Sequence, residues 1–205
     1  DQQEVLIGSF SDTELHEVVN ELYIDDMVDI VEEMPANVVK RILENSDSNT
    51  RQLINEILKY PPDSAGSIMT TEFINLHANM TIGDAIKRIR EKGLDSETIE
   101  TCYVTDSVRH LIGFVTIRTI ILSDENAKVE DVMNRNVISV GTTENQETVV
   151  NLFAKYDLTV LPVVDNENRI VGIVTVDDII DVLQRKTTED IEKMAAITPT
   201  DKPYL

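Results

Sequence analysis

Part of this chain is a copy of another part, and the copy limits what the chain can fold into. Ser67-Ile68-Met69-Thr70 returns as Asp131-Val132-Met133-Asn134, an offset of 64 residues from Met69 to Met133. A short apolar stretch follows each, Phe73-Ile74-Asn75-Leu76 and Val137-Ile138-Ser139-Val140. A helical run comes next, with Ile82, Ala85, Ile86 and Ile89 in one copy and Val149, Val150, Leu152 and Phe153 in the other. Cys102-Tyr103-Val104-Thr105-Asp106 then matches Leu161-Pro162-Val163-Val164-Asp165, and Gly113-Phe114-Val115-Thr116 matches Gly172-Ile173-Val174-Thr175. From Gly113 to Gly172 the offset is 59, so the first copy carries five extra residues, 64 less 59, around Leu94 to Thr101. Apolar runs at strand length alternating with helical spacing give two β-α-β-β-α units of about 60 residues each. A unit of that size has a small core, so the two are expected to pack face to face.

The chain ahead of the repeats reads differently. Ser11-Asp12-Thr13-Glu14 is a capping box that opens the set Leu15, Val18, Val19 and Leu22 at helical spacing. Further helical sets follow at Ile24, Met27, Val28 and Val31, then Val38, Val39, Ile42 and Leu43, then Leu53, Ile54, Ile57 and Leu58. Pro35 separates the second from the third, and Tyr60-Pro61-Pro62-Asp63-Ser64-Ala65-Gly66 ends the helical pattern. The expected architecture is α plus α/β. An all-helical superhelical bundle over 1–61 leads to repeats over 62–127 and 128–186, and a C-terminal linker helix over 187–205.

Charge excludes some partners. The 205 residues hold 38 acidic and 18 basic side chains, a formal net charge of −20. Such a surface repels nucleic acid and anionic membranes, which leaves cations, basic proteins or plain solubility as reasons for the acid. The single cysteine, Cys102, has no partner for an internal disulfide, which fits a reducing compartment. No window approaches the roughly 18 apolar residues of a membrane span, and no signal peptide stands at the start. Because it begins at Asp1 rather than Met, the chain is expected to be a piece of a longer protein.

Two acidic faces need a counter-charge. After the strand-like Ile173-Val174-Thr175-Val176 come Asp177, Asp178 and Asp181, followed by Glu189 and Asp190. One or two carboxylates complement a helix N-terminus. Asp178 and Asp181, about one turn apart on one face, repel by roughly 0.2–0.5 kcal/mol unless neutralised. Oxygen ligands suit Mg²⁺, which keeps several waters and takes one or two carboxylates. Metal binding and helix-start decoration both remain open here. In the helical region Asp25 and Asp29 lie four apart, Asp26 and Asp29 three apart, with Glu32 and Glu33 beyond. By sequence alone, that face reads as solvated acid.

The repeat has a recognisable form: Met, an apolar strand, a helix, a hairpin at an acidic turn, and Gly-φ-φ-Thr before a helix (φ, an apolar residue). It resembles a tandem pair of cystathionine-β-synthase (CBS) domains. The whole order resembles the cytosolic part of MgtE-type magnesium channels. Tyr60 through Thr70, Tyr156-Asp157-Leu158-Thr159-Val160-Leu161-Pro162-Val163-Val164-Asp165, and Gly172 through Asp190 carry the likeness. The resemblance implies Mg²⁺ shared between acids of the helical domain and of the second CBS domain. Carried over residue by residue, the ligands are Asp178 and Asp181, Asp26 with Asp25 in reserve, Glu147 and Asp157, and Glu189 and Asp190. Thr187 is expected to cap the segment that holds the last two. One departure stands out: Gln184-Arg185-Lys186 occupies a place where relatives tend to have acids.

CBS pairs also hold adenine nucleotides such as ATP between the repeats, with Gly-φ-φ-[Ser/Thr]-x-x-Asp as the usual signature. The second repeat has it complete in Gly172, Thr175 and Asp178, while the first has Thr119 where the Asp belongs. Arg118 is then the group suited to a phosphate. Asp178 is claimed by both the metal and the nucleotide assignment.

No catalytic frame appears around His16, His77 or His110, and Asp165-Asn166-Glu167-Asn168 reads as a hairpin turn. The resemblance therefore implies a non-enzymatic Mg²⁺ sensor on the cytoplasmic face of a membrane. It is expected to be homodimeric and to act on a pore domain further along the same protein. An adenine-nucleotide-sensing regulatory module is the alternative.

Overall fold

The computed structural model of the chain describes residues 10–197. Four helices of equal length come first: α1 (Asp12–Glu21), α2 (Ile24–Glu33), α3 (Ala36–Asn45) and α4 (Ser48–Ile57). The capping box forms as expected. Ser11 Oγ accepts the Glu14 N–H, and the Glu14 carboxylate accepts the Ser11 N–H at 2.9 Å. Asp47 caps α4 by accepting from the N–H groups of Asn49 and Thr50. Helix α1 packs on α3 and α2 on α4, around Leu15, Met27, Val28, Ile42, Ile54 and Ile57.

The first repeat runs β1 (Phe73–His77), α5 (Ile82–Lys92), β2 (Thr98–Thr105), β3 (Leu111–Thr116) and α6 (Ile117–Leu122). A short helix, α7 (Val129–Val132), leads to the second repeat: β4 (Val140–Gly141), α8 (Gln146–Tyr156), β5 (Val160–Val164), β6 (Ile170–Thr175) and α9 (Val176–Ile197). In each three-stranded sheet the first strand pairs parallel with the second, and the second antiparallel with the third. Both are therefore β-α-β-β-α units.

The repeats interlock by the offsets read from the sequence. Thr70 bridges Ile173 in one direction, and Asn134, 64 residues after Thr70, bridges Phe114, 59 residues before Ile173. Ser64 bridges Asn145, and their counterparts Lys128 and Thr81 bridge in turn. This approach explains the glycine of the repeated motif. A Cβ on Gly172 would lie 2.6 Å from Met69 Sδ and 2.7 Å from the Thr70 carbonyl. On Gly113 it would lie 2.7 Å from the Asn134 carbonyl and 3.0 Å from Met133 Sδ. The shared face buries Tyr103 and Leu111 of one repeat against Val160, Val164, Ile170 and Ile173 of the other. Burying each such side chain contributes about 1.5–3 kcal/mol.

Two expectations need correction. Only Val140 and Gly141 of the stretch 137–140 and its neighbour form ladder pairs, because Val137 and Ile138 line a cavity between the repeats instead. And no break occurs at Thr187. Its hydroxyl donates to the Leu183 carbonyl at 2.8 Å within an uninterrupted α9, so it caps nothing.

Candidate functional site

The N-terminus of α2 and the N-terminus of α9 meet in an acidic cleft. Tyr23 precedes α2 with no side-chain cap of its own. The free N–H of Ile24 is taken by the first repeat, where Glu72 Oε2 accepts it at 2.9 Å and also accepts the Thr70 hydroxyl at 3.2 Å. That cap from another part of the chain holds Asp25 and Asp26, in the first turn of α2, against α9. At the opposite wall, β6 ends in buried Thr175 and α9 begins. Asp178 Oδ2 accepts the Thr175 N–H at 2.7 Å and lies 2.8 Å from its hydroxyl; the same hydroxyl lies 2.5 Å from Asp177 Oδ1. The helix-start role of Asp178 is thus real, and it accounts for one of its two oxygens.

Asp25, Asp26, Asp29, Asp178 and Asp181 line this narrow cleft together with Ile68 and Arg185. Arg185 reaches Asp29 at 3.8 Å, and the cleft widens outward past Gln184. Burial, and then Asp26, push the Asp25 carboxyl up to about 7. Burial raises Asp178 to about 7 as well, against the lowering effect of the Thr175 N–H, with Asp25 adding to the rise. Asp26 is raised by burial and by Asp29, Asp177 and Asp181. Two acids that the sequence reading did not single out also belong here. Glu97 is pushed up to about 7 by burial, then by Asp177, Asp178 and Asp26, and Glu72 is raised by burial. Asp25 Oδ1 and Glu97 Oε2 are buried with no hydrogen-bond partner. Glu72 and Glu97 lie far from Asp178 in sequence and on no shared helix face. Only the pairing of the repeats, which sets the segment after Thr70 beside β6, could have pointed to them.

The donors are all oxygens and their acceptor capacity exceeds the hydrogen bonds they receive, which fits a hard dication. No three His, Cys, Asp or Glu side chains among the described residues close around a common point. An ion here would accordingly be held by one carboxylate from each wall, with water completing the shell, as Mg²⁺ prefers.

The other expected ligands are not gathered there. Glu147, in the first turn of α8, accepts Lys186 Nζ at 2.7 Å, so a basic side chain already neutralises it. Asp157 ends α8 in the left-handed conformation, φ 49°, and lines a different cavity. The side chains of Glu189 and Asp190 lie outside the described residues.

That second cavity, of about 300 Å³, opens between the repeats. Thr101, Tyr103 and Phe114 form one side; Asn136, Val137, Ile138, residues 156–160 and Pro162 form the other. Its apolar and aromatic walls with a few polar groups suit an aromatic base. The expected nucleotide residues are not on its lining. Thr175 and Asp178 sit at the acidic cleft, and Arg118 stands exposed in the first turn of α6.

Known proteins share this arrangement. Residues 1–63 match the family model of the MgtE intracellular N domain, and residues 65–125 and 129–185 each match the CBS domain. The soluble part of a magnesium transporter superposes with a TM-score of 0.84 at 33% identity, over 89% of this chain and 72% of that one. The cytosolic domain of the Mg²⁺ channel MgtE in complex with ATP does so with a TM-score of 0.84 at 37% identity, over 88% and 74%. The chain belongs to the MgtE family. The magnesium transporter MgtE of Thermus thermophilus is 40% identical over 88% of this chain and 41% of its own length. That of Bacillus subtilis is 34% identical over 99% and 46%. This MgtE chain thus spans less than half the length of those curated relatives. Its fold is that of their soluble region, a helical domain followed by a CBS pair. No helix among the described residues is long and apolar enough to cross a membrane.

Proposed function

We propose that this MgtE chain is a cytosolic Mg²⁺ sensor whose helical domain closes on the second CBS repeat when the ion is present, and so biases a membrane pore further along the same protein. One observation carries the reading: α2 and α9 present mutually repelling carboxylates, Asp25 and Asp178 half-buried among them, to each other across a cleft whose described lining holds one basic side chain, Arg185. Without a cation the two faces repel and part. With Mg²⁺ between Asp25 or Asp26 and Asp178 or Asp181, the closed form is favoured. The same ions would reach Glu97 through water.

Weak sites suffice. One site at ten times its dissociation constant favours the bound state by about 1.4 kcal/mol. Moving an equilibrium from 1:99 to 99:1 takes about 5.5 kcal/mol, or about four such sites together. A set of weak sites answers changes in a millimolar ion, where a tight one stays saturated. Titration of Mg²⁺ by calorimetry tests the assignment. Asp178→Asn with Asp181→Asn should remove most of the binding heat, and an unchanged isotherm would return these acids to helix-start decoration.

The cavity of about 300 Å³ favours a second ligand. A relative at 37% identity was solved in complex with ATP, and the aromatic walls here suit an adenine. We assign ATP or a related nucleotide to that cavity. ATP calorimetry with Tyr103→Ala and Asn136→Ala should show lost binding, and retained binding would place the nucleotide elsewhere. The chain is proposed to work as a homodimer, through the exposed Ile121 and Leu122 of α6 and Ile180 and Leu183 of α9.

A further inference from the structure

The hairpin turns of the two repeats are built alike, yet they carry different residues at their strained position. Asp106 Oδ1 accepts the N–H groups of Val108 and His110, and Asp165 Oδ1 those of Glu167 and Arg169, all at 2.9 Å. Each turn has one residue in the left-handed region, Arg109 at φ 72° and Asn168 at φ 60°. Asn enters that region readily and Arg seldom does. Asn168 also uses the position better. Its Nδ2 donates to the Leu111 carbonyl at 3.2 Å, while Arg109 reaches the matching Ile170 carbonyl only at 3.5 Å. The turn itself therefore has no need of a guanidinium. In a chain of 38 acidic and 18 basic side chains, this one makes no ion pair among the described residues.

Arg109 lines a cavity of about 360 Å³ where α4 lies against the CBS pair. From α4 and the residues after it come Leu53, Ile57 and Tyr60; the CBS pair supplies Met69, Phe73 and Val171. These six are buried or half-buried, whereas Arg109 and Glu56, the two charged groups of the lining, are exposed. The cavity is thus apolar and aromatic within and carries both signs of charge toward solvent. Arg109 and Glu56 do not pair with each other, and Glu56 too makes no ion pair among the described residues. Burial, then Glu56 and Asp165, raise the Tyr60 hydroxyl, so the Glu56 charge is felt at that wall. The volume lies at the small end of the roughly 300–1,000 Å³ of ligand pockets, which suits a small metabolite.

We propose that this cavity is a site for a zwitterionic amino acid with an aromatic side chain. The Arg109 guanidinium takes the carboxylate through paired N–H groups, Glu56 takes the ammonium, and the ring lies between Tyr60, Phe73 and the aliphatic wall. Glu56 disfavours a phosphate-bearing ligand, and Arg109 a simple amine. Because α4 belongs to the helical domain, the bound amino acid joins that domain to the CBS pair and favours the closed chain. That consequence rests on the reading that the helical domain departs when Mg²⁺ is absent; the site itself does not.

Calorimetry of the full chain in saturating Mg²⁺ tests the site, with phenylalanine, phenylpropionate (no ammonium) and phenethylamine (no carboxylate). Phenylalanine is expected to bind, and each analogue about tenfold or more weakly, because each leaves one charged group unpaired. Arg109→Asn gives the turn the residue its twin already has, so the fold is kept while phenylalanine binding falls by about tenfold or more. Glu56→Gln, on an exposed helix face, should make phenylpropionate as good a ligand as phenylalanine. No binding of phenylalanine overturns the proposal, as do equal binding of all three compounds and unchanged binding by Arg109→Asn. In chelator phenylalanine binding should weaken by about tenfold or more, since only the closed fraction is competent, and small-angle scattering of the same samples reports opening independently. A chain that opens yet binds phenylalanine equally overturns the proposal and leaves the Mg²⁺ reading standing. A chain that stays closed and binds it through Arg109 and Glu56 supports the site and overturns the Mg²⁺ reading.

Discussion

At the scale of single residues, the carboxyls of Asp25, Asp178 and Glu97 decide the behaviour, because each is pushed up to about 7. A raised value means that the closed chain binds protons more tightly than the open one. Protonation thus favours closure without metal most strongly at and below the ordinary carboxylate range, still does so at about pH 5, and ceases to as pH rises through about 7. Fluorescence transfer between labels on α1 and α8, in chelator, should report a closed chain near about pH 5 and an open one near about pH 8.5. Mg²⁺ needs the ionised carboxylates, so its effect grows over the same range. Equal transfer at both pH values would count against the buried acids as the source of repulsion. Glu147 behaves differently, being exposed and already joined to Lys186 at 2.7 Å. Glu147→Gln should leave the Mg²⁺ midpoint where it is, and a shifted midpoint would make Glu147 a ligand after all. The difference between Asp178 and Glu147 was not legible in the sequence. Both are acids in the first turn of a helix, and only the packing shows which of them faces a second acidic wall.

At the scale of elements, the helices announced themselves through their spacing and caps. The box at Ser11 and Glu14 and the apolar sets through Ile57 became four helices that bury those residues. Strand β4 did not, since Val137 and Ile138 carry strand-like side chains but spend them on a cavity wall. The junction at Thr187 misled because Thr followed by acids is also what an exposed helix interior looks like when the hydroxyl bonds back to the preceding turn. The repeated glycines make a sharper statement. Gly172→Ala drives a methyl into Met69 and the Thr70 carbonyl, and Gly113→Ala does the same to Met133 and Asn134. Each should destabilise the CBS pair by about 1–3 kcal/mol in urea unfolding. A loss near zero would mean the close approach is slack. Glu72 is the cap of α2 supplied from outside the helical domain. Glu72→Ala should weaken docking by about 1 kcal/mol, read as a lower pH for metal-free closure, without unfolding either part.

At the scale of the molecule, the internal copy was the most informative feature of the sequence. It fixed the two sheets, their mutual approach and the residue pairs that bridge them, because a small unit must bury its open face against its twin. The location of the acids on both walls was readable in the same way, as Asp25 and Asp26 at one helix start and Asp178 and Asp181 at another. The meeting of those walls was not, since it depends on how a helical bundle docks on a CBS pair through contacts such as Ile24 with Glu72. Two further acids beside the cleft, Glu72 and Glu97, became visible only with that docking. The claim on which all of this rests is that a dication, and not the Arg185–Asp29 pair by itself, closes the cleft between α2 and α9. Small-angle X-ray scattering of the full chain near neutral pH, in chelator and in millimolar Mg²⁺, tests it most directly. The account predicts a smaller radius of gyration with Mg²⁺, abolished by Asp178→Asn with Asp181→Asn; superimposable profiles with and without the ion would contradict it.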